Sequence, residues 1–390
     1  MSGIYAGLAL LLLLALVTPV FAEDEIHLLR IEVEGNDVTS EDFIRSMLTL
    51  QQGEVYDLDR IIDEINESRQ NLEKTGLFGS VFFNDELDDE NNLVLTVQVR
   101  EKNYLHFGLS GYLGYEDKEV YSVSSLYLNY TNVGGNGSLF YLEVPFYRDY
   151  GVIARYMGNP GKFQYTLGLD VRYDYFYDEN VQKLIAGLGY NLHERLLLGL
   201  DIQSSRESPV QSSDSTLSFV FYPYVRWGLA RRYTEKQKKW HSLFLTPYAG
   251  ITVPNRSDSG NTQFYGIDSR LSLNRDVLLQ IVYSLNVYAS YQDGTIPNEY
   301  TIKSNIRGSY YDAHTGSYRL TVINNFDFPW PSYNRIHLVP FLDYGIVGDD
   351  KADFLIGGGV GFHWYTKYQD PFVFEVAFGE GFMINLSKNF

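Results

Sequence analysis

The chain of 390 residues contains no cysteine, so it has neither a disulfide framework nor a thiolate for catalysis or metal binding. Tryptophan is scarce at 4 residues, although 33 tyrosines and 24 phenylalanines raise the aromatic content to 16%. Basic residues are also few, 31 against 49 acidic ones, and the net charge of −18 argues against a nucleic-acid partner. This composition is typical of a cell-envelope protein that folds without disulfides.

Long hydrophobic runs are absent after the first 22 residues. Residues 1–22 contain an apolar stretch from Leu8 to Val17 and end in Val20-Phe21-Ala22, which predicts a signal peptide cleaved after Ala22. The segment lacks Lys and Arg, and an uncleaved single anchor of similar length is the alternative. Because no later run could span a membrane as a helix, further embedding would require a β-barrel.

An acidic module follows at residues 23–101, with 21 acidic and 6 basic residues, whereas residues 102–390 are nearly balanced at 28 and 25. Its pattern predicts strand, helix, helix, strand, strand. The first strand stops at Gly35-Asn36, the first helix is capped by Thr39, and the second runs from Asp57 to Gly76. The second helix is expected to bury Leu58, Ile61, Ile62, Ile65 and Leu72. This small α+β module contains no catalytic grouping.

The segments "VEGN", "LQQGEVYDLDRI", "LEKTGLFGSVFFN" and "VQVRE", over about residues 26–101, resemble a polypeptide-transport-associated (POTRA) domain. The resemblance implies a periplasmic domain that receives an unfolded client by strand addition. A generic α+β adaptor is the alternative. We expect a three-stranded sheet with open edges. The residues expected to pair with the client are Ser80, Val81, Phe82 and Phe83.

Beyond residue 101 the pattern changes to strand alternation. In "KFQYTLGLDVRYDY" (162–175), Leu167, Leu169 and Val171 share one face, while Asp170 and Arg172 share the other. Sixteen segments of this kind follow one another between 103 and 390. They predict a transmembrane antiparallel β-barrel of about sixteen strands with an apolar outer face and a polar lumen. A neighbouring even strand count and a soluble sandwich are the alternatives.

The longest interval between strands, about 292–315, contains Ile306, Arg307 and Gly308, followed by Ser309 and Tyr310. It resembles the Val-Arg-Gly-Phe/Tyr motif in the sixth loop of the outer-membrane assembly and two-partner-secretion superfamily (BamA, TamA and relatives; bacterial surface antigens). The aromatic residue is displaced here by one position. The downstream segments "NNFDFPWP", "FLDYGIV", "GGGVGFHW" and "FMINLSKNF" resemble the last strands of that family.

The resemblance implies that the loop folds into the barrel and that its arginine meets acidic lumen residues. By strand parity, the partner of Arg307 is Asp343. The acidic position on the preceding strand is occupied by Asn325, with Asp327 as a substitute of the same parity. Such a pair either holds the barrel in shape or takes a direct part in transport.

The last strand resembles the family's assembly signal. The residues expected to form this signal are Phe382, Ile384, Leu386 and Phe390.

These features predict an outer-membrane factor that inserts protein clients into the membrane or passes them across it. The alternatives are a two-partner-secretion transporter and a passive pore. We expect no enzyme and no cofactor, since the seven histidines show no metal-ligand spacing. The expected partners are unfolded clients, membrane lipid and, optionally, accessory lipoproteins.

Overall fold

The computed structural model describes residues 26–88, 92–116, 119–147, 149–158, 162–174, 178–193, 195–211, 214–234, 237–255, 260–278, 281–309, 314–330, 333–366 and 369–389. The predicted signal peptide, residues 1–22, lies outside them. The chain forms two compact units that meet in sequence between Glu101 and Lys102. Within the described ranges, no helix is long and apolar enough to cross a membrane.

The N-terminal unit is a four-stranded sheet with two helices. Its elements are β1 (Ile26–Glu34), a helix at Glu41–Ser46, β2 (Val55–Tyr56), a helix at Leu58–Lys74, β3 (Phe78–Leu87) and β4 (Leu93–Glu101). The sheet order is β2-β1-β4-β3, with β1 parallel to β4 and the other pairs antiparallel. The prediction of a three-stranded sheet was wrong, because it missed the short strand β2. Two residues are too few to show an alternating pattern in the sequence.

Capping side chains set the start of each helix. Ser40 Oγ accepts from the N–H of Phe43 at 3.2 Å, so Ser40 is the first cap and the prediction of Thr39 was wrong. Asp57 Oδ1 accepts from the N–H of Arg60 at 2.7 Å, as predicted. In the second helix Ile61 and Leu72 are buried, whereas Leu58 and Ile62 are exposed. The apolar face predicted for this helix is therefore only partly covered.

The two ends of the N-terminal unit are in direct contact. Gly35 has φ +80°, and a Cβ at this position would lie 2.1 Å from the carbonyl oxygen of Val99. The carboxylate of Glu101 accepts the N–H groups of Val38 and Thr39 at 3.0 and 2.6 Å. The "VEGN" turn and the closing "VQVRE" strand thus pack against each other, which explains why the turn requires glycine.

The second unit is a closed antiparallel barrel of sixteen strands, which confirms the predicted fold class. The strands are β5 (Leu105–Glu116), β6 (Glu119–Val133), β7 (Ser138–Tyr147), β8 (Asp149–Gly158), β9 (Phe163–Asp174), β10 (Glu179–His193), β11 (Leu196–Pro209), β12 (Thr216–Thr234), β13 (Gln237–Pro254), β14 (Thr262–Leu278), β15 (Ile281–Gly294), β18 (Tyr318–Trp330), β19 (Tyr333–Gly348), β20 (Ala352–Thr366), β21 (Gln369–Phe378) and β22 (Phe382–Asn389), with β16 (Ile302–Lys303) and β17 (Thr315–Gly316) forming a hairpin in the loop before β18.

The barrel closes where β22 pairs with β5, from Phe382 opposite Tyr115 to Asn389 opposite Gly108. We call this strand pair the seam. The pairing of β12 with β13 contains a register shift between Gly228 and Ala230.

The two faces of the barrel wall differ as the alternation predicts. On β9, Leu167, Leu169 and Val171 are exposed on the outer surface, while Asp170 between them is buried. The same apolar outer face recurs around the barrel, for example at Leu184, Leu188, Leu198, Leu200, Phe219, Phe221, Ile251, Leu338, Leu342, Ile356 and Phe362. A closed barrel with this outer belt is suited to span an outer membrane.

The contact at Gly35 gives a test of the N-terminal unit. Gly53 also has a positive φ, +88°, but a Cβ there would have no neighbour within 4 Å. We expect Gly53→Ala to cost only the backbone strain, about 1 kcal/mol of unfolding free energy. Gly35→Ala adds a clash with the backbone of Val99 and should cost at least ~2 kcal/mol more. Urea denaturation of residues 23–101, followed by circular dichroism, measures both, and equal losses would contradict the contact.

Candidate functional site in the barrel lumen

The loop between β15 and β18 folds back into the barrel. After β15 it forms a 3-10 helix at Asn298–Tyr300 and then the β16–β17 hairpin, in which Ile302 pairs with Gly316 and Lys303 with Thr315. Ile306, Arg307 and Gly308 lie at the tip of this hairpin. The loop therefore presents its motif as a compact turn.

Arg307 binds Asp343 through two hydrogen bonds. Its Nε donates to Oδ2 at 2.7 Å and its Nη2 donates to Oδ1 at 2.9 Å. The Asp343 side chain is completely buried. Two parallel bonds between a planar guanidinium and a carboxylate fix both the position and the orientation of the arginine. The two residues paired by sequence parity are thus in contact.

Three more wall residues surround the guanidinium. Nη2 of Arg307 donates to Asn325 Oδ1 at 2.7 Å, and Nη1 donates to Glu375 Oε1 at 3.2 Å. The ring centroid of Phe341 lies 3.5 Å from the guanidinium carbon, a cation–π contact. We call Arg307 with Asn325, Phe341, Asp343 and Glu375 the arginine lock. Its acceptors come from three separate strands, β18, β19 and β21.

One predicted residue has a different contact in the structure, and one residue of the site was not predicted. Asp327, predicted as a substitute partner of Arg307, instead contacts His337 Nδ1 and accepts from the Tyr365 hydroxyl at 3.4 Å. Glu375 was not predicted, although it is the only charged residue in "FVFEVAF" and its parity points inward. A lone carboxylate on the lumen face of an apolar strand was the available signal.

Glycines make room for the loop tip against the wall. Gly308 has φ +84°, and a Cβ on it would lie 2.8 Å from the carbonyl carbon of Phe378. A Cβ on Gly357 would lie 1.8 Å from the carbonyl oxygen of Arg307. The N–H of Gly381 donates to the carbonyl of Gly308 at 3.0 Å. The glycine of the motif and the "GGGVGFHW" strand therefore serve the same close approach of backbones.

The residues beside Arg307 hold the turn together. Ile306 is buried with Val347 and Leu355. Ser309, which stands where the family has an aromatic residue, donates its hydroxyl to the carbonyl of Ile306 at 2.7 Å. The serine thus closes the turn by a hydrogen bond. Tyr310, the displaced aromatic residue, lies outside the described residues.

The first limb of the loop contacts the other side of the barrel. Glu299 forms ion pairs with Lys183 on β10 and with Arg172 on β9, the latter at 3.5 Å. The Tyr300 hydroxyl shares a hydrogen bond of 2.9 Å with Ser205 on β11. Strand β10 lies eight positions around the barrel from β20. Because the loop is bound at both places, it crosses the lumen.

His314 ties the second limb to two strand ends. Its Nε2 lies 2.6 Å from Glu380, in the turn between β21 and β22, and its Nδ1 lies 3.1 Å from Asp353 at the start of β20. Partial burial alone would lower the pKa of His314, but hydrogen bonds to these two carboxylates outweigh burial and raise it above the usual value. Protonated His314 can donate to both carboxylates at once.

The remaining predicted residues lie at the edge of the N-terminal sheet and at the seam of the barrel. Ser80, Val81, Phe82 and Phe83 lie in β3, at the edge of the N-terminal sheet. Phe382, Ile384 and Leu386 lie in β22, on one side of the seam. The Phe382 ring packs at 5.1 Å from the ring of Phe378. Phe390 lies outside the described residues, so its predicted role in assembly stays a prediction.

A double-mutant cycle tests the arginine lock. Arg307→Ala and Asp343→Ala each leave a buried charge without its main partner, and we expect each to cost ~3 to 5 kcal/mol of unfolding free energy. Because the residues share one interaction, the double variant should cost clearly less than the sum, by about 1 to 3 kcal/mol. Guanidinium unfolding of the barrel in detergent measures the four proteins.

Asp327→Ala is the matched control for this cycle, since Asp327 has the same inward parity but contacts His337. The unfolding free energy lost in Asp327→Ala should add to that lost in Arg307→Ala. Additive losses for Arg307 and Asp343 as well would show that the pair contributes no shared energy.

His314 predicts a pH dependence. A raised pKa means that the contribution of His314 is complete below its ordinary pKa of about 6.5 and is lost as pH rises through the higher folded value. We expect the loop to be held more firmly at pH 5.5 than at pH 9, with an unfolding midpoint higher by ~2 °C. His314→Gln should abolish this difference. Thermal unfolding followed by tryptophan fluorescence decides it, and an unchanged pH response in the variant would contradict the role of His314.

Comparison with known proteins follows the division of the chain. Residues 27–102 match the family model "POTRA: Surface antigen variable number repeat". No match was found among curated protein sequences.

Several solved structures are similar over most of this chain. BamA from Haemophilus ducreyi lacking POTRA domains 1–3 is similar with a TM-score of 0.53 at 12% identity, over 94% of this chain and 85% of that one. CdiB from Acinetobacter baumannii has a TM-score of 0.61 at 13% identity, over 93% and 74%. CdiB from Escherichia coli has a TM-score of 0.61 at 14% identity, over 94% and 76%.

At these identities the structural matches establish the fold. Together with the match of residues 27–102, they account for both units of the chain. The chain thus joins a region that matches the POTRA model to a barrel with the fold of BamA and CdiB, in line with the resemblance drawn from the sequence.

Proposed function

We propose that this protein handles unfolded protein clients at the outer membrane, receiving them on its POTRA domain and inserting them into the membrane, or passing them across it, at the barrel. The observation that carries this proposal is the arginine lock beside the seam. The loop tip binds β21 through Glu375 and the turn before β22 through Gly381. A lumen loop fastened next to the only junction between the first and last strands is placed to control that junction.

The POTRA domain offers one open strand edge for a client. The N–H of Asp88 donates to the carbonyl of Asn92 at 2.9 Å across the β3–β4 turn, and the register is regular back to Ser80. Hydrogen-bonded positions alternate along antiparallel strands. The N–H groups that face away from β4 are therefore those of Val81, Phe83, Asp85 and Leu87. An extended client could add to this edge by main-chain hydrogen bonds.

The opposite edge of the sheet is largely occupied. The N–H of Leu28 donates to Glu54 at 3.0 Å, and its carbonyl accepts from Gly53 at 2.7 Å. Further along β1, Nη2 of Arg45 donates to the carbonyl of Ile31 at 2.6 Å. These contacts use three of the main-chain groups that a client would need on β1. They favour β3 as the client-binding edge.

A passive pore fits the lumen less well. Glu299 and Tyr300 bind one wall and Arg307 binds the other, so the loop obstructs the path through the barrel. The proposed orientation places the POTRA domain in the periplasm, where clients arrive unfolded. Lipoprotein partners would dock on that domain. A two-partner-secretion transporter is the second candidate, and it differs in releasing its client outside the cell.

Substitution at Asp85 tests client binding by β3. Asp85→Pro removes an outward-facing N–H without breaking the pairing with β4, because proline is tolerated on edge strands. We expect crosslinking of an extended client peptide to fall by about fivefold, the value of one hydrogen bond. Asp85→Ala keeps the N–H and should crosslink like the native protein. Photo-crosslinking to folded protein measures both, and equal crosslinking by the two variants would reject this edge.

A further inference from the structure

Glu375 contacts the loop and the seam strand at the same time. Its Oε1 accepts from Arg307 Nη1 at 3.2 Å, while its Oε2 accepts from the side-chain amide of Asn385 at 3.1 Å. Asn385 lies on β22, opposite Tyr112 of β5. The carboxylate is buried, with 8% exposure, and His363 Nε2 lies 3.5 Å from Oε1. One buried side chain thus joins the loop tip to the strand that closes the barrel.

The charge of Glu375 is not needed to neutralise Arg307. Asp343 already forms the bidentate pair with the guanidinium. A second carboxylate at a buried site carries a desolvation cost, which several polar partners are needed to offset. A neutral amide such as Asn325 satisfies the same guanidinium at 2.7 Å on the other side. The specific property of Glu375 is that two donors from different elements can bind its two oxygens.

Loss of Arg307 would change the surroundings of β22. With the loop withdrawn, the Glu375 carboxylate would lose its cation while still facing Asn385. A buried carboxylate in that state attracts water or shifts toward His363. Either change weakens the hydrogen bond to Asn385. The lumen side of β22 would keep the packing of Met383 against Phe341 and Ala377.

We propose that Glu375 is a positioning residue that couples the arginine lock to the seam: while Arg307 is bound, Glu375 holds Asn385 and keeps β22 paired with β5. This inference rests on the proposed function for its purpose, because release of the seam is the step that would admit a client. The coupling itself is a property of the barrel and is measurable without any client.

The chain has no cysteine, so the seam can be probed by introduced pairs. Gly111 and Leu386 lie opposite each other across the seam. The reference pair is Leu169 and Leu184, which lie opposite each other on β9 and β10, far from the lock. Opposite residues on antiparallel strands are within disulfide range. Gly111→Cys with Leu386→Cys reports on the seam, and Leu169→Cys with Leu184→Cys reports on the rest of the wall.

The experiment compares oxidation rates of the two pairs in full-length protein in phospholipid vesicles. Glu375→Ala should slow disulfide formation at the seam by about fivefold, as expected for the loss of buried hydrogen bonds, and leave the reference pair unchanged. Arg307→Ala should slow disulfide formation at the seam by the same factor. The double variant of Arg307 and Glu375 should form the disulfide no more slowly than either single variant. Asn385→Ala should slow disulfide formation at the seam but leave the arginine lock intact. Trypsin should therefore cleave after Arg307 no faster than in the native protein.

Glu375→Gln serves as a second variant of nearly the same shape, in case Glu375→Ala does not fold. Its amide has one oxygen where the carboxylate has two, so its NH2 group faces one of the two donors and disulfide formation at the seam should again be slower than in the native protein. Native oxidation rates at the seam in Glu375→Gln, or equal slowing of both cysteine pairs, would overturn the proposal. Slower disulfide formation at the seam in a protein that crosslinks no client would support the coupling and reject the proposed function. Unchanged disulfide formation with normal client crosslinking would reject the coupling and support the proposed function.

Discussion

The buried charge of Arg307 is the constraint on which the lumen depends. A guanidinium inside the barrel needs several acceptors, and they come from three strands, with Asn325 on β18, Asp343 on β19 and Glu375 on β21. Because a desolvated cation without partners is costly, the loop tip, the lock residues and the three strands form one interdependent unit. The shape of this side of the barrel is therefore set by a residue that belongs to a loop.

Close backbone approach is the second requirement of the same site. Gly308 and Gly357 lie where any side chain would collide with main-chain atoms of the loop or the wall. Without these glycines the guanidinium could not reach Asp343 at bonding distance. Ser309 adds a hydrogen bond that closes the turn, so the aromatic residue usual in the family motif is not needed for this geometry. The electrostatic contact thus relies on small residues that carry no charge.

The two anchors of the loop have opposite charges at their centres, the carboxylate of Glu299 in one and the guanidinium of Arg307 in the other. The Glu299 and Tyr300 anchor combines ion pairs with ring packing, and the Phe264 ring lies 5.3 Å from the Tyr300 ring. The arginine lock has a guanidinium at its centre and lies one strand from the seam. Withdrawal of the tip would leave the first limb bound to β9, β10 and β11. This asymmetry fits a loop that responds locally beside the seam instead of leaving the barrel as a whole.

The sequence by itself determined the alternating faces and predicted about sixteen strands, because both depend on period-two parity. Together with the family resemblance of the loop motif, parity also predicted that Arg307 pairs with Asp343. Parity gives the face of the barrel wall on which a residue lies. It does not give the height of that residue, meaning its position along the barrel axis, relative to a loop that crosses the lumen. Only the tertiary structure decided that Asn325, and not Asp327, meets Arg307, and that Glu375 and Glu299 bind the loop and the wall. The path of the loop, fixed by contacts between residues far apart in sequence, sets those heights.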